Sequence, residues 1–161
     1  MTVSSPPNTT HRLRPELGDF SSIACFKAVV VGIEEALGEK AATIALIAAG
    51  RARGKQLAAQ LEYDNGSLEE LTGLLNHALG TLGTRLCLID RIAQDGEVIR
   101  VHCRETICSS GEPQGSSRCL TYTLGAIQGV LEQVVGKRLR GKQVESILRG
   151  SNQDVLEFQT I

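Results

Sequence analysis

The chain has 161 residues, 42% of them hydrophobic, which suits a single domain with its own core. A net charge of −1 and only 3% aromatic residues argue against nucleic acid as a partner, because neither a basic field nor a stacking surface is available. The longest apolar run, Ala41 to Ala49, falls well short of the ~20 residues of a membrane span. With no signal-peptide core at the N-terminus, a cytoplasmic protein with no stable membrane insertion is expected, its five cysteines reduced.

Residues 1–18 read as a disordered tail, since Ser4 to Thr10 cannot bury a face and Pro15 interrupts any helix. The domain is expected over residues 19–161. Ser21 or Ser22 can cap a first helix that runs to Leu37, with its stripe at Ile23, Phe26, Val30, Ile33 and Leu37 and its stop at Gly38. A second helix follows over 40–61. Ala45, Ala48, Ala49, Ala52, Gly50 and Gly54 give it a flat, close-packing surface. Arg51, Arg53 and Lys55 form a basic strip on it, expected to face solvent unless one of them meets an acidic ligand group.

Ser67 and Glu70 make a capping box for a third helix ending at Gly80. The period then changes from helical to alternating at Leu86 to Arg91, and Asp95-Gly96 marks a hairpin whose return strand runs to Cys103. Residues 109–117, with Gly111, Pro113 and Gly115, read as a loop. The last helix carries its stripe at Leu120, Leu124, Ile127, Leu131, Val134 and Val135, and Gly136 ends it. Gly125 and Gly129 share one face of it, at a cost of about 1 kcal/mol each against alanine. Such a cost is carried where a backbone or a ligand must come close. Two strand-like runs around Gly150-Ser151-Asn152 close the chain. The order of elements predicts an α+β fold, with an antiparallel sheet of about four strands packed against about four helices.

The segment from Cys119 to Phe158, a glycine-bearing helix followed by a hairpin, resembles the C-terminal half of the vinyl-reductase-like small-molecule-binding domains. That group includes bacteriochlorophyll-synthesis proteins, hydrocarbon-binding proteins and aromatic-responsive sensor domains, and it shares the fold of the TRAPP vesicle-tethering subunits. Ala49 to Leu57 looks like the Gly-x-x-x-Gly helix of the same domains, so the resemblance spans roughly Phe20 to Phe158. It implies a non-catalytic domain that binds a small apolar molecule: a tetrapyrrole, a hydrocarbon or isoprenoid, or an aromatic. The implied ligand-binding set is Cys119, Tyr122, Leu124, Gly125, Ile127 and Gly129, with tight helix packing as the alternative role of the two glycines. An assembly protein working through helix faces is the second reading, and a tetrapyrrole vinyl reductase component the third. A homodimer through the first two helices, with Ala45, Ala49 and Ala52 in contact, is also expected.

No catalytic residue and no cofactor is expected. The sequence has no phosphate-loop or dinucleotide fingerprint, and the neighbouring carboxylates Glu34/Glu35 and Glu69/Glu70 do not share a helix face. His102, Cys103, Cys108 and Cys119 match no tight zinc spacing, and adjacent residues of a strand point to opposite sides. In the aromatic-sensing domains that this chain resembles, zinc is held by a cysteine before the glycine helix and by an acidic residue and two cysteines on the final hairpin. Cys119 sits near the first of these places, but Gln143, Ser146 and Asp154 stand at the others, so no metal site is expected.

Overall fold

The computed structural model describes residues 13–161. His11 and the first twelve residues of the expected tail lie outside the described residues. Residues 13–18 are not a featureless end of that tail. They form a turn closed by the Asp19 carboxylate, which accepts from the backbone N–H groups of Leu13 (2.9 Å) and Arg14 (3.0 Å).

The fold is α+β. Helix α1 (Ile23–Leu37) starts where Ser22 Oγ accepts from Ala24 N, and it ends at Gly38. With φ +77°, Gly38 turns the chain directly into α2 (Glu39–Ala58). The second helix stops three residues before the expected Leu61, because Gln60 and Leu61 bond back only three residues, to Leu57 and Ala58. Helix α3 (Leu68–Leu79) opens with the complete capping box: Glu70 N donates to Ser67 Oγ, and Ser67 N to the Glu70 carboxylate. Strands β1 (Leu88–Asp95) and β2 (Val98–Arg104) turn at Asp95-Gly96, with Gly96 in the left-handed region. After a loop comes α4 (Tyr122–Val135), ended by the left-handed Gly136. Strand β3 (Leu139–Glu145), a short 3₁₀ turn (Ile147–Arg149) and β4 (Asp154–Thr160) complete the chain. The four strands form one antiparallel sheet in the order β1-β2-β4-β3.

Helix α4 is central. Every residue from Thr123 to Glu132 is buried, as befits a helix covered on all sides. Its stripe of Leu124, Ile127 and Leu131 joins Val101, Leu156 and Phe158 of the sheet in the core, while its opposite face meets α2. The contact with α2 is backbone to backbone. An alanine methyl at Gly125 would fall on the carbonyl oxygen of Ile47, and one at Gly129 on that of Arg51. The relation is reciprocal, since methyls at Gly50 and Gly54 would fall on the carbonyl oxygens of Tyr122 and Ala126. The four glycines therefore mesh the two helices, and no side chain fits between them.

A buried ion cluster closes one end of this seam. The Glu132 carboxylate, 3% exposed, accepts from Arg51 Nε (2.8 Å), Arg51 Nη2 (2.9 Å) and the Leu139 N–H (2.9 Å), with Lys55 Nζ at 3.2 Å. Of the basic strip, Arg53 and Lys55 are exposed as expected, while the half-buried Arg51 turns toward α4 and Lys55 reaches Glu132 from the surface. A seam this close brings the base of each long side chain within reach of the neighbouring helix.

Helix α1 is held differently. Val30 is its one fully buried residue. Polar contacts tie it to the loop before α4: Lys27 Nζ pairs with Glu112 at 2.8 Å, and Arg118 reaches Glu34 (2.7 Å) and Glu112 (3.0 Å). These cations, Lys27 foremost, hold the Glu112 carboxyl below its ordinary value.

Candidate ligand-binding cavity

A cavity of about 380 Å³ lies where the start of α1, the end of α2, the turn after α3 and the first turns of α4 meet. Its floor is aliphatic, with Leu79 and Leu86 buried and Leu57 partly so. Its sides are aromatic. The chain has only three Phe and two Tyr, and three of these five, Phe20, Phe26 and Tyr122, line this one space. Phe26 and Tyr122 stand edge to face with ring centroids 5.1 Å apart. Burial raises the Tyr122 pKa, against the opposing charge of Arg53, so Tyr122 faces the cavity as a neutral phenol.

Arg53, Arg85 and Asp19 stand at the exposed rim. The Arg85 guanidinium lies over the Phe20 ring at 4.6 Å. Arg85 itself has φ +56°, a left-handed conformation unusual for a side-chain-bearing residue. The tight turn after α3 imposes it: Thr84 N donates to Ala78 O, Arg85 N to Gly80 O and Leu86 N to Leu79 O.

Of the ligand-binding residues expected from the sequence, Tyr122 lines this cavity. Gly125 and Gly129 face the α2 backbone, so they serve the helix seam. Leu124 and Ile127 sit in the core cluster with the sheet. Cys119 precedes α4 and is exposed in a separate surface hollow with Glu34, Arg118 and Thr121. The other residues of the cavity come from five places in the chain, at 19–26, 53–57, 79–86, 107 and 126, and no spacing in the sequence links them. The aromatic shortage was the available signal, because Phe20, Phe26 and Tyr122 are most of what the chain has.

Of the hairpin residues, Gln143 and Asp154 meet in a hydrogen-bonded staple, while Ser146 Oγ accepts from Leu148 N at 3.2 Å and caps the 3₁₀ turn. The buried Asp154 carboxylate accepts from Gln143 Nε2 (3.1 Å), Ile147 N (3.1 Å), Ser109 Oγ (2.9 Å) and Thr106 Oγ1 (3.3 Å). Gln143 in turn accepts from Leu120 N at 3.0 Å, which ties the loop before α4 to the sheet. No three His, Cys, Asp or Glu side chains come together as a metal-binding group among the described residues. Cys103 lies in the core and His102 on the other side of β2, as strand alternation requires. Burial pushes the Cys87 thiol up to about 12 and raises Cys103 as well, so neither offers a thiolate at neutral pH. Burial, with Arg91 close by, lowers the pKa of His102. No helix of the described residues is long and apolar enough to cross a membrane.

Neither a protein-family model nor a curated protein matches the sequence. Solved structures do match the fold. The phenol-responsive sensory domain of the transcription activator PoxR, solved with phenol, aligns with a TM-score of 0.65 at 13% identity, covering 89% of this chain and 77% of that one. A vinyl-4-reductase family protein from Methanocaldococcus jannaschii aligns with a TM-score of 0.51 at 17% identity, over 89% of this chain and 83% of that one. A trafficking protein particle complex subunit 3 from Naegleria fowleri, covalently bound to palmitic acid, gives 0.58 at 15% identity, over 86% of this chain and 92% of that one. The chain has the vinyl-reductase-like, TRAPP-like fold. At these identities the likeness establishes architecture, and the chemistry of a site must come from this chain's own residues.

Proposed function

We propose that this vinyl-reductase-like domain binds a small, largely apolar molecule in the cavity between α1, α2 and α4. The observation that carries the proposal is the gathering of Phe20, Phe26 and Tyr122 around one space, in a chain otherwise nearly without aromatic residues. Ring walls over an aliphatic floor suit an aromatic or branched hydrocarbon body. A volume of about 380 Å³ is near the lower end of the ~300–1,000 Å³ typical of small-molecule sites. That favours a ligand of one or two rings over a tetrapyrrole or a long isoprenoid. The palmitate and phenol of two structural neighbours support the choice of ligand binding over catalysis. Because the sequence contains no tryptophan, Phe26→Trp places a single reporter in the wall. Titration with phenol and with short branched hydrocarbons is expected to change its emission saturably. A spectrum unmoved by every probe would remove this cavity as the site.

A second reading, assembly through helix faces, has its own observation. Ile23, Val29, Leu37 and Ile44 are 49%, 58%, 57% and 63% exposed, and the exposed Ala45, Ala48, Ala49 and Ala52 continue the apolar surface along α2. We propose that a second copy covers this face, because its small apolar residues, bounded by Lys40 and Arg53, allow the close helix approach that this chain already uses between α2 and α4. Light scattering at micromolar concentration is expected to give the dimer mass, and Ala49→Glu the monomer mass. A monomeric wild-type chain would refute it.

A further inference from the structure

We infer that the cavity's ligand carries an anionic group on its apolar body, with a small aromatic or branched carboxylate as the simplest form. This rests on the cavity being the binding site. Three observations lead there. Arg53 and Arg85 both line it, and neither is paired with a carboxylate among the described residues. Both are exposed and so open to a ligand, whereas the half-buried cations Lys27, Arg51 and Arg118 each have a carboxylate partner. The carboxylate at the same rim, Asp19, accepts from two backbone N–H groups of the preceding turn through Oδ1 and makes no ion pair with either arginine.

The backbone at Arg85 adds direction. A left-handed φ suits glycine, yet the chain places an arginine there, stacked on Phe20 at the rim. The turn after α3 fixes that conformation, and the guanidinium it carries lies over Phe20 at the rim. A guanidinium takes a carboxylate in a two-pronged, charge-assisted fork, which a neutral ligand cannot exploit. An acid with its ring among Phe20, Phe26 and Tyr122 would present its head to Arg53 and Arg85 at this rim.

The test is a matched series on the full chain: 3-phenylpropionate, its methyl ester and 3-phenylpropylamine, followed by calorimetry and ligand-observed NMR. The acid is expected to bind about tenfold more tightly than the ester, and the amine more weakly than both. The acid's advantage is expected to shrink with added salt, because the rim is exposed. Arg53→Gln with Arg85→Gln is expected to bring the acid to the ester's level. Arg85→Gly, which fits the backbone better, is expected to lose part of that advantage with no loss of melting temperature. Equal binding of acid and ester by the wild type would overturn the inference and leave the apolar site standing. An acid preference that survives both sets of substitutions would also overturn it. Binding of neither, with Phe26→Trp emission unmoved as well, would overturn the site itself.

Discussion

Gly129→Ala is expected to lower stability by about 2–3 kcal/mol, and Gly129→Leu by more. Alanine gains about 1 kcal/mol of helix propensity over glycine, so the loss must come from packing. The methyl would collide with backbone, the carbonyl of Arg51 and the N–H of Lys55, which has no rotamer to give way. Relief requires α2 to move off α4 along the whole seam, carrying the Gly125 contact at Ile47 with it. Gly73 supplies the control. It is exposed on α3 with nothing near a new methyl, so Gly73→Ala should raise stability by up to ~1 kcal/mol. Urea melts of the three variants decide the matter. A Gly129→Ala protein as stable as the wild type would contradict the seam.

Loss of the Glu132 charge is the other large expected effect. Burial alone would raise the pKa of this carboxyl, but Arg51, the Leu139 N–H, Gln128 and Lys55 outweigh it and hold it at about 2. In an unfolded chain a glutamate titrates near ~4.3, and the gap corresponds to about 3 kcal/mol. A depressed folded value means that this stability is complete above ~4.3 and is lost as pH falls toward about 2. Glu132→Gln should therefore cost about 2–3 kcal/mol at pH 7, the lower figure reflecting solvent access to Arg51 and Lys55. Its stability should also change less than the wild type's between pH 5 and pH 2. Denaturant midpoints measured across that range would show the two curves converging in acid; parallel curves would contradict the assignment.

Features set by local chemistry could be read from the sequence. Ser22 and Gly38, the Ser67/Glu70 box, Asp95-Gly96 and Gly136 all act within a few residues, and each bounds the element expected of it. The glycine pairs were visible on both helices, but spacing along one helix does not say what lies opposite. Only the fold shows that Gly50 and Gly54 mesh with Gly125 and Gly129. The same limit hid the cavity. Phe20 and Arg85 meet across the chain through a cation–π contact, and Arg53 reaches the same rim from the end of α2. Arg51 and Lys55, two positions to either side of Arg53, turn the other way to Glu132. The start of α4 was misplaced because Leu120 is buried before the helix begins, where Gln143 receives its N–H. A buried leucine just ahead of a helix continues the helix's apolar period.

The glycine seam also bears on how such chains can diverge. Core leucines and valines can be exchanged for one another over time, because side chains repack. Two backbones in contact have no such latitude. A related chain that keeps this seam must keep small residues at all four meshing positions together, or lose them together and reset the helix spacing. Two Gly-x-x-x-Gly pairs in distant helices therefore form a linked signature, each meaningful only with the other. Such a paired pattern can persist when overall identity has fallen to the 13–17% seen among the structural neighbours.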